Sequence, residues 1–183
     1  MAAPKCPPTE DFPVITGFVT PASDFAPPHP LDASVTVDVF DPTEIIGGAR
    51  ERIRVVETDT PFDIDVEWCL CGALAASISG CWQLRVYLDD IDGGDPRTVG
   101  LLTQAVVDVS SVPATSPTDP DDVTRRCYKH TFSIPANRVI AGVYNLVVVI
   151  TLRSGSCRDD PQGAQLGDWL GFAEIPVLVF VPE

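Results

Sequence analysis

The residues of this chain best suited to chemistry are its six cysteines, which can form disulfides, remain as thiols or bind a metal. They are Cys6, Cys69, Cys71, Cys81, Cys127 and Cys157. An even number of cysteines is typical of proteins from oxidising compartments. Paired zinc-binding cysteines are usually separated by about two to four residues, whereas one residue separates Cys69 from Cys71. Disulfides are therefore our prediction, with free thiols or a metal site as the alternatives.

A second group of candidate ligands lies in the acidic segment 89–95, where two glycines accompany four carboxylates, those of Asp89, Asp90, Asp92 and Asp95. Oxygen ligands on a glycine-containing loop are those that Ca²⁺ prefers, although the glutamate that completes an EF-hand loop is missing. Asp and Gly also form hairpin turns without any metal. We therefore predict a solvated turn, and Ca²⁺ is the cofactor kept as the alternative.

Side chains suited to catalysis are scarce. The chain has two histidines, His29 and His130, and it contains no nucleophile elbow, phosphate-binding loop, dinucleotide fingerprint or zinc-protease motif. His130 shares a strand face with Tyr128 and Phe132, which predicts a hydrogen-bonded histidine in or near the core. Cys127 has the opposite parity and therefore points away from His130. We predict a protein that is not an enzyme.

Trp169 is the remaining candidate for ligand contact. It follows Asp168 in the segment 153–171, where we expect a loop. A tryptophan in a loop can stack on a sugar ring, or it can close the end of the core. A module that binds a glycan or Ca²⁺ is therefore the alternative function.

Charge and composition exclude several classes of protein. The 183 residues include 26 acidic and 12 basic side chains, for a formal net charge of −14. Such a chain repels phosphate backbones, so nucleic acid is not an expected partner. No stretch approaches the roughly 20 apolar residues needed to span a bilayer, so no membrane insertion is expected. With 18 prolines and 13 glycines, the chain is also not a helical bundle.

Alternating apolar residues dominate the sequence from residue 35 onwards. In the clearest segment, every second residue is apolar: Phe62, Ile64, Val66, Trp68 and Leu70. This alternation predicts strands with one face in a core. The pattern begins again at Trp82, and further strands are predicted at 101–109, 128–134, 143–152 and 172–181. No segment has a sustained 3.6-residue period, so we predict an all-β sandwich of about 7–9 strands.

Three features make this sandwich resemble the immunoglobulin-like fold. Trp82 begins the third core strand (strand C in that fold), and Pro135 ends the strand that corresponds to E. Gly142 and Tyr144 then open the strand corresponding to F, as in a tyrosine corner. The resemblance covers about residues 35–181, without the buried cysteine pair of antibody domains. It implies a bacterial or viral type of immunoglobulin-like module, and no particular activity.

The resemblance also implies which cysteines are neighbours. Strand B pairs antiparallel with strand E, which places Cys69 or Cys71 beside Cys127. Strand C pairs with strand F, which places Cys81 near Cys157. The remaining member of the 69/71 pair can then bond to Cys6. A hairpin of strands B and C is the competing geometry, and it would set Cys71 opposite Cys81.

Residues 1–34 form a predicted proline-rich arm that precedes the sandwich domain of residues 35–183. The arm holds eight of the 18 prolines, which favour extended backbone. Its segment 13–20 is apolar enough to form a strand, through Pro13, Val14, Ile15, Phe18 and Val19. A loose leader is the alternative. We predict a structural or assembly protein that adds this strand to a sheet edge of another copy or of another protein.

The compartment is predicted from two opposing features. Residues 1–8 contain no apolar run of signal-peptide length, whereas six cysteines favour an oxidising compartment. We expect an extracellular location, or one at the surface of a cell or particle, and the cytoplasm is the alternative.

Overall fold

The computed structural model describes residues 15–19, 32–46, 49–71, 75, 80–91, 100–108, 125–153 and 169–182. These residues form ten strands: β1 (Ile15–Val19), β2 (Asp32–Ile46), β3 (Ala49–Arg52), β4 (Val55–Glu57), β5 (Phe62–Cys71), β6 (Cys81–Asp90), β7 (Gly100–Asp108), β8 (Arg125–Ile134), β9 (Gly142–Arg153) and β10 (Trp169–Val181). No helix among these residues is long and apolar enough to cross a membrane.

The strands form two sheets that pack face to face. The first sheet has the order β1-β10-β9-β6-β7, with β4 also paired to β10, and the second has the order β3-β2-β5-β8. All of the pairings are antiparallel except that of β4 with β10. Strands B and E of the resemblance are β5 and β8, and strands C and F are β6 and β9. The all-β, immunoglobulin-like sandwich is therefore confirmed.

The core lies between the two sheets and is formed by the residues that the alternation placed inward. Every second residue of β5 from Phe62 to Leu70 is at most 2% exposed, and Trp82, Leu84 and Val86 of β6 are fully buried. At one end of the core, the rings of Trp68, Trp82 and Tyr128 lie 5.5 to 6.0 Å apart. Burying such rings contributes more apolar area than any aliphatic side chain, so this cluster joins the two sheets firmly.

A tyrosine corner connects β8 to β9, as the resemblance implied. The Tyr144 hydroxyl donates a hydrogen bond to the backbone carbonyl of Ile140, with 3.3 Å between the oxygens. Gly142 leaves room for this ring, because a Cβ atom there would lie 3.0 Å from Cε2 and from the hydroxyl oxygen of Tyr144. That separation is shorter than van der Waals contact, so a side chain at position 142 would displace the tyrosine.

The segment from Ala49 to Glu57 passes from one sheet to the other. Within this segment β3 pairs with β2, whereas β4 pairs with β10. The crossing is marked by two hydrogen bonds: the amide of Ile53 still donates to Val39, whereas the carbonyl of Arg54 accepts from Val179. This division, together with β1, brings the described strands to ten.

The N-terminal arm contributes β1 to the first sheet. Ile15 to Val19 pair antiparallel with Glu174 to Leu170 of β10 in the same chain. The C-terminal part of β10, Val179 to Val181, is paired instead with β4. β2 begins at Asp32, just before the predicted domain boundary at residue 35. Of the predicted arm strand, Pro13 and Val14 lie outside the described residues.

Candidate functional site

The pairing of β5 with β8 joins two cysteines in a disulfide. Cys69 and Cys127 are directly opposite in the register, with their Cα atoms 4.0 Å apart and their sulfur atoms bonded. The prediction that the end of strand B lies beside the start of strand E is confirmed, with Cys69 as the partner. Both cysteines have outward parity, yet they are only 4% and 6% exposed.

Cys81 is disulfide-bonded as well, and its register position agrees with the C–F pairing. It lies opposite Arg153, the last residue of β9. Its partner lies outside the described residues, and Cys157 stays the prediction because it follows Arg153 by four positions. The competing B–C hairpin is wrong, because β5 and β6 belong to different sheets and Cys71 pairs with Asp32 and Arg125. The bonding of Cys6, Cys71 and Cys157 lies outside what the structure describes.

The thiolate metal site considered from the sequence does not fit this disulfide. Glu67, Cys69 and Cys127 offer three ligand atoms within 4.8 Å of one another. A sulfur atom bonded to another sulfur is no longer a thiolate, however, and it is the thiolate that binds zinc. The exposed Glu67 carboxylate therefore lies beside a covalent cross-link.

The charged site with the densest set of contacts surrounds Asp65, on the outer face of the second sheet. Asp65 is 6% exposed and is the one buried charged residue in the described part of the chain. One of its carboxylate oxygens accepts a hydrogen bond of 2.7 Å from the Thr131 hydroxyl. The other accepts from Lys129 Nζ at 2.6 Å and from the guanidinium of Arg50. Thr131 and Lys129 lie on β8, the neighbour of β5, whereas Arg50 lies on β3 and reaches across β2.

Its surroundings keep Asp65 ionised. Burial by itself raises the pKa of this carboxyl, but the hydrogen bonds from Lys129 and Thr131 and the charges of Lys129 and Arg50 outweigh burial and lower its pKa. Arg50 also pairs with Asp63 at 3.1 Å, and its guanidinium lies 4.4 Å from the centre of the Phe40 ring. The cluster therefore connects all four strands of the second sheet.

A second carboxylate on this face has a different environment. Asp38 of β2 pairs with Arg52 Nε at 3.2 Å. Burial nevertheless raises the pKa of Asp38, despite the charges of Arg52 and Arg54. We call the set Asp38, Arg50, Arg52, Asp63, Asp65 and Lys129 the charged face. Its carboxylates are engaged by cations of the same chain, an arrangement that holds strands together and leaves little capacity for a ligand.

The sequence did not identify the cluster around Asp65. Asp65 had the parity of a solvent-facing residue, and period-two alternation reports which face of a sheet a residue occupies, not how deeply it is covered. The available signal was the run Arg50, Arg52 and Arg54, whose spacing puts like charges on one face and therefore requires carboxylates nearby.

The predicted Ca²⁺ ligands are only partly within the described residues. Asp89 and Asp90 are half-buried at the end of β6, while Asp92 and Asp95 lie outside those residues. The charge of Asp90 adds to the effect of burial in raising the pKa of Tyr144, its register partner on β9. The Ca²⁺ site stays a prediction.

Trp169 and His130 are both placed on strands. Trp169 is the first residue of β10, paired through its backbone with Leu152, and not a loop residue as expected. Its contact with a sugar stays a prediction. The ring of the half-buried His130 lies edge-on against Phe132, 4.5 Å between centroids, and burial lowers its pKa. His130 is thus mainly neutral at physiological pH and packs as an aromatic residue. His29 lies outside the described residues.

An apolar groove of about 200 Å³ lies at the opposite end of the sandwich from the disulfide. Leu88, Leu102 and Tyr144 are among its lining residues, and Ile140 on its rim is 73% exposed. The sequence did not predict this groove, since it depends on where the β8–β9 connection lies relative to β7.

Comparison with known proteins gives a likeness in fold. No protein-family model and no curated protein matches the sequence. One similar solved structure is a CARDB domain from Pyrococcus furiosus in complex with di-metal ions, 14% identical, with a TM-score of 0.42 over 84% of this chain and 96% of that chain. Another is the C-terminal domain of wzt, 12% identical, with a TM-score of 0.44 over 82% of this chain and 74% of that chain. At these identities, neither likeness bears on function.

Proposed function

We propose that this protein is a non-enzymatic structural or assembly module that docks onto another copy, or onto another protein, by strand addition. The observation that carries the proposal is β1. It is a five-residue strand of the N-terminal arm that pairs with the edge of β10. Twelve residues, 20–31, connect it to β2. A strand that joins a sheet edge through a backbone ladder can be exchanged for an identical one.

The segment of β10 that receives β1 has defined limits. β1 covers Leu170 to Glu174, and β4 covers Val179 to Val181. Once β1 has left, an incoming strand therefore finds the edge open from Leu170 to Leu178 and is limited by β4 beyond that point. The backbone hydrogen bonds formed between two chains equal those broken within one chain, so the exchange depends on association entropy and on the connecting segment.

The polar groups within the described residues support a non-catalytic role. The Asp65 carboxylate is saturated by three donors from its own sheet, and His130 packs against an aromatic ring. A catalytic base requires an accessible proton acceptor near a bound substrate. The cross-strand disulfide supports an extracellular or surface location, which remains part of the proposal.

The test removes β1 from its own edge and offers a replacement. The variant Thr16→Pro/Gly17→Pro loses the β1 ladder, because adjacent prolines remove the backbone donor whichever residue faces β10. A fluorescent peptide of residues 11–21 should then bind this variant in an anisotropy titration. It should bind the wild-type chain at least tenfold more weakly, since β1 already occupies the edge.

The matched control is the same peptide carrying both prolines, which should not bind either protein. If the unsubstituted peptide also fails to bind the proline variant, and that variant retains the far-ultraviolet circular dichroism of the wild type, strand addition at β10 is refuted. A change in melting temperature on adding Ca²⁺ would instead favour the alternative of a ligand-binding module.

A further inference from the structure

The centre of the outer face of the first sheet carries apolar side chains. An antiparallel sheet with one solvated face normally alternates apolar and polar residues. In β9 the inward residues Leu146, Val148 and Ile150 are buried, but Val147 and Val149 between them are apolar too. On β7, Leu101 and Val106 have outward parity and are 44% and 47% exposed.

The strand register arranges the outward residues at the centre of this face in three rows. Leu101, Tyr87, Val147 and Glu174 form the first row, Gln104, Arg85 and Val149 the second, and Val106, Gln83 and Thr151 the third. Two of these ten side chains carry a charge, in a protein whose net charge is −14. The charged face of the second sheet has the opposite character. The rows at either end contain Asp89 and Asp108, so this face has an apolar centre and a charged rim, which is typical of an interface.

The positions of the two charges indicate the occupant. Arg85 lies on β6 beside Val149, and Glu174 lies on β10 beside Val147, so the two charges flank β9 on opposite sides. Neither makes an ion pair with another residue in the described part of the chain. Consider a two-fold axis that lies in the plane between two facing sheets and passes between Val147 and Val149. This axis brings each Arg85 against the Glu174 of a second copy. Such a surface is complementary to itself.

We propose that the outer face of the first sheet binds the same face of a second copy, as a two-fold symmetric dimer. The valines of β9 lie at its centre, and two reciprocal Arg85–Glu174 pairs orient it. Because this contact uses a sheet face, it goes beyond strand addition by the arm and does not require it.

The size of the face predicts a weak dimer. Strands spaced about 4.8 Å apart and rows about 6.8 Å apart give four strands and three rows an area of roughly 19 by 20 Å. That is below the about 800 Å² per partner that stable complexes bury. The net charges of the two copies also repel each other. We therefore expect an equilibrium between monomer and dimer that depends on concentration.

The experiment uses charge reversal and mixing of full-length chains. Arg85→Glu alone places two glutamates together at each contact, and Glu174→Arg alone places two arginines together. Each variant should dimerise at least tenfold more weakly than the wild type in sedimentation velocity. A mixture of the two variants restores both Arg–Glu pairs across the interface, so the heterodimer should form with nearly wild-type affinity.

The matched controls are Arg138→Glu and Glu57→Arg, which change the net charge equally at exposed positions elsewhere. The dimer dissociation constant of each control should stay within threefold of the wild-type value once the effect of the changed net charge is subtracted. Three results would each overturn the proposal: a wild-type chain that is monomeric at every concentration, single variants that dimerise normally, or a mixture that does not recover. Two strands lie between Arg85 and β1, so the effect of Arg85→Glu separates this interface from the arm, whereas Glu174 is also the register partner of Ile15.

Discussion

Removing the disulfide between β5 and β8 is the perturbation whose magnitude follows most directly from the structure. Cys69 and Cys127 are separated by 58 positions in the sequence. For a closed loop of that length, the chain-entropy relation gives about 14 cal/mol/K, or about 4 kcal/mol at 25 °C. In a domain of this size, about 4 kcal/mol lowers the melting temperature by roughly 8–16 °C.

The assay is urea unfolding of the variant Cys69→Val/Cys127→Val under non-reducing conditions, so that the Cys81 disulfide stays intact. Valine is chosen because both positions are buried, and an apolar residue avoids leaving a polar group without a partner. A loss of about 3–5 kcal/mol would agree with the chain-entropy account. A loss below about 1 kcal/mol would refute it, and would mean that the unfolded chain is already held compact around this pair.

Two further predictions concern single side chains. The pKa of Asp65 is below its ordinary value of 3.8 in the folded state, so its contribution is complete above that pH and is lost as the pH falls through the lower, folded value. The variant Asp65→Asn should therefore lose about 1–3 kcal/mol at pH 7, and its stability should converge with that of the wild type in acid. The measurement is urea unfolding of both proteins at a series of pH values. A difference in the free energy of unfolding that stays the same at every pH would contradict the prediction. Gly142→Ala should cost about 1–3 kcal/mol by displacing the Tyr144 ring, while Tyr144→Phe, the control that keeps the ring, should cost about 1 kcal/mol. Equal losses for the two variants would show that the ring moves without strain.

The sequence predicted those parts of the fold that depend on which face of a strand a residue occupies. Alternation identified the buried face of β5, and antiparallel B–E pairing then brought Cys127 to Cys69. The Gly142–Tyr144 pattern predicted a local turn, because the hydroxyl bonds to a carbonyl only four residues earlier. In each case the determining interaction is local or follows from strand direction.

The remainder depended on information that alternation does not carry. The depth at which Asp65 lies is set by long side chains of β3 and β8, whose reach is not encoded in spacing. The division between β3 and β4 depends on which sheet offers an open edge. The arm was predicted to pair with a neighbour, and β1 pairs within its own chain; the sequence cannot distinguish the two, because the same hydrogen bonds serve both.

The antiparallel arrangement of β1 and β10 has a mechanical consequence. From Ile15 the chain continues towards the N-terminus in the same direction in which β10 runs towards Val181. A load applied between those two points therefore pulls the β1 ladder apart like a zipper, one hydrogen bond at a time, beginning at Ile15. The disulfide between Cys69 and Cys127 meanwhile prevents the chain between these two cysteines, 58 positions apart, from being extended by the load. Under such a load the β1 ladder opens from Ile15 towards Val19 and exposes the edge of β10 from Glu174 back to Leu170.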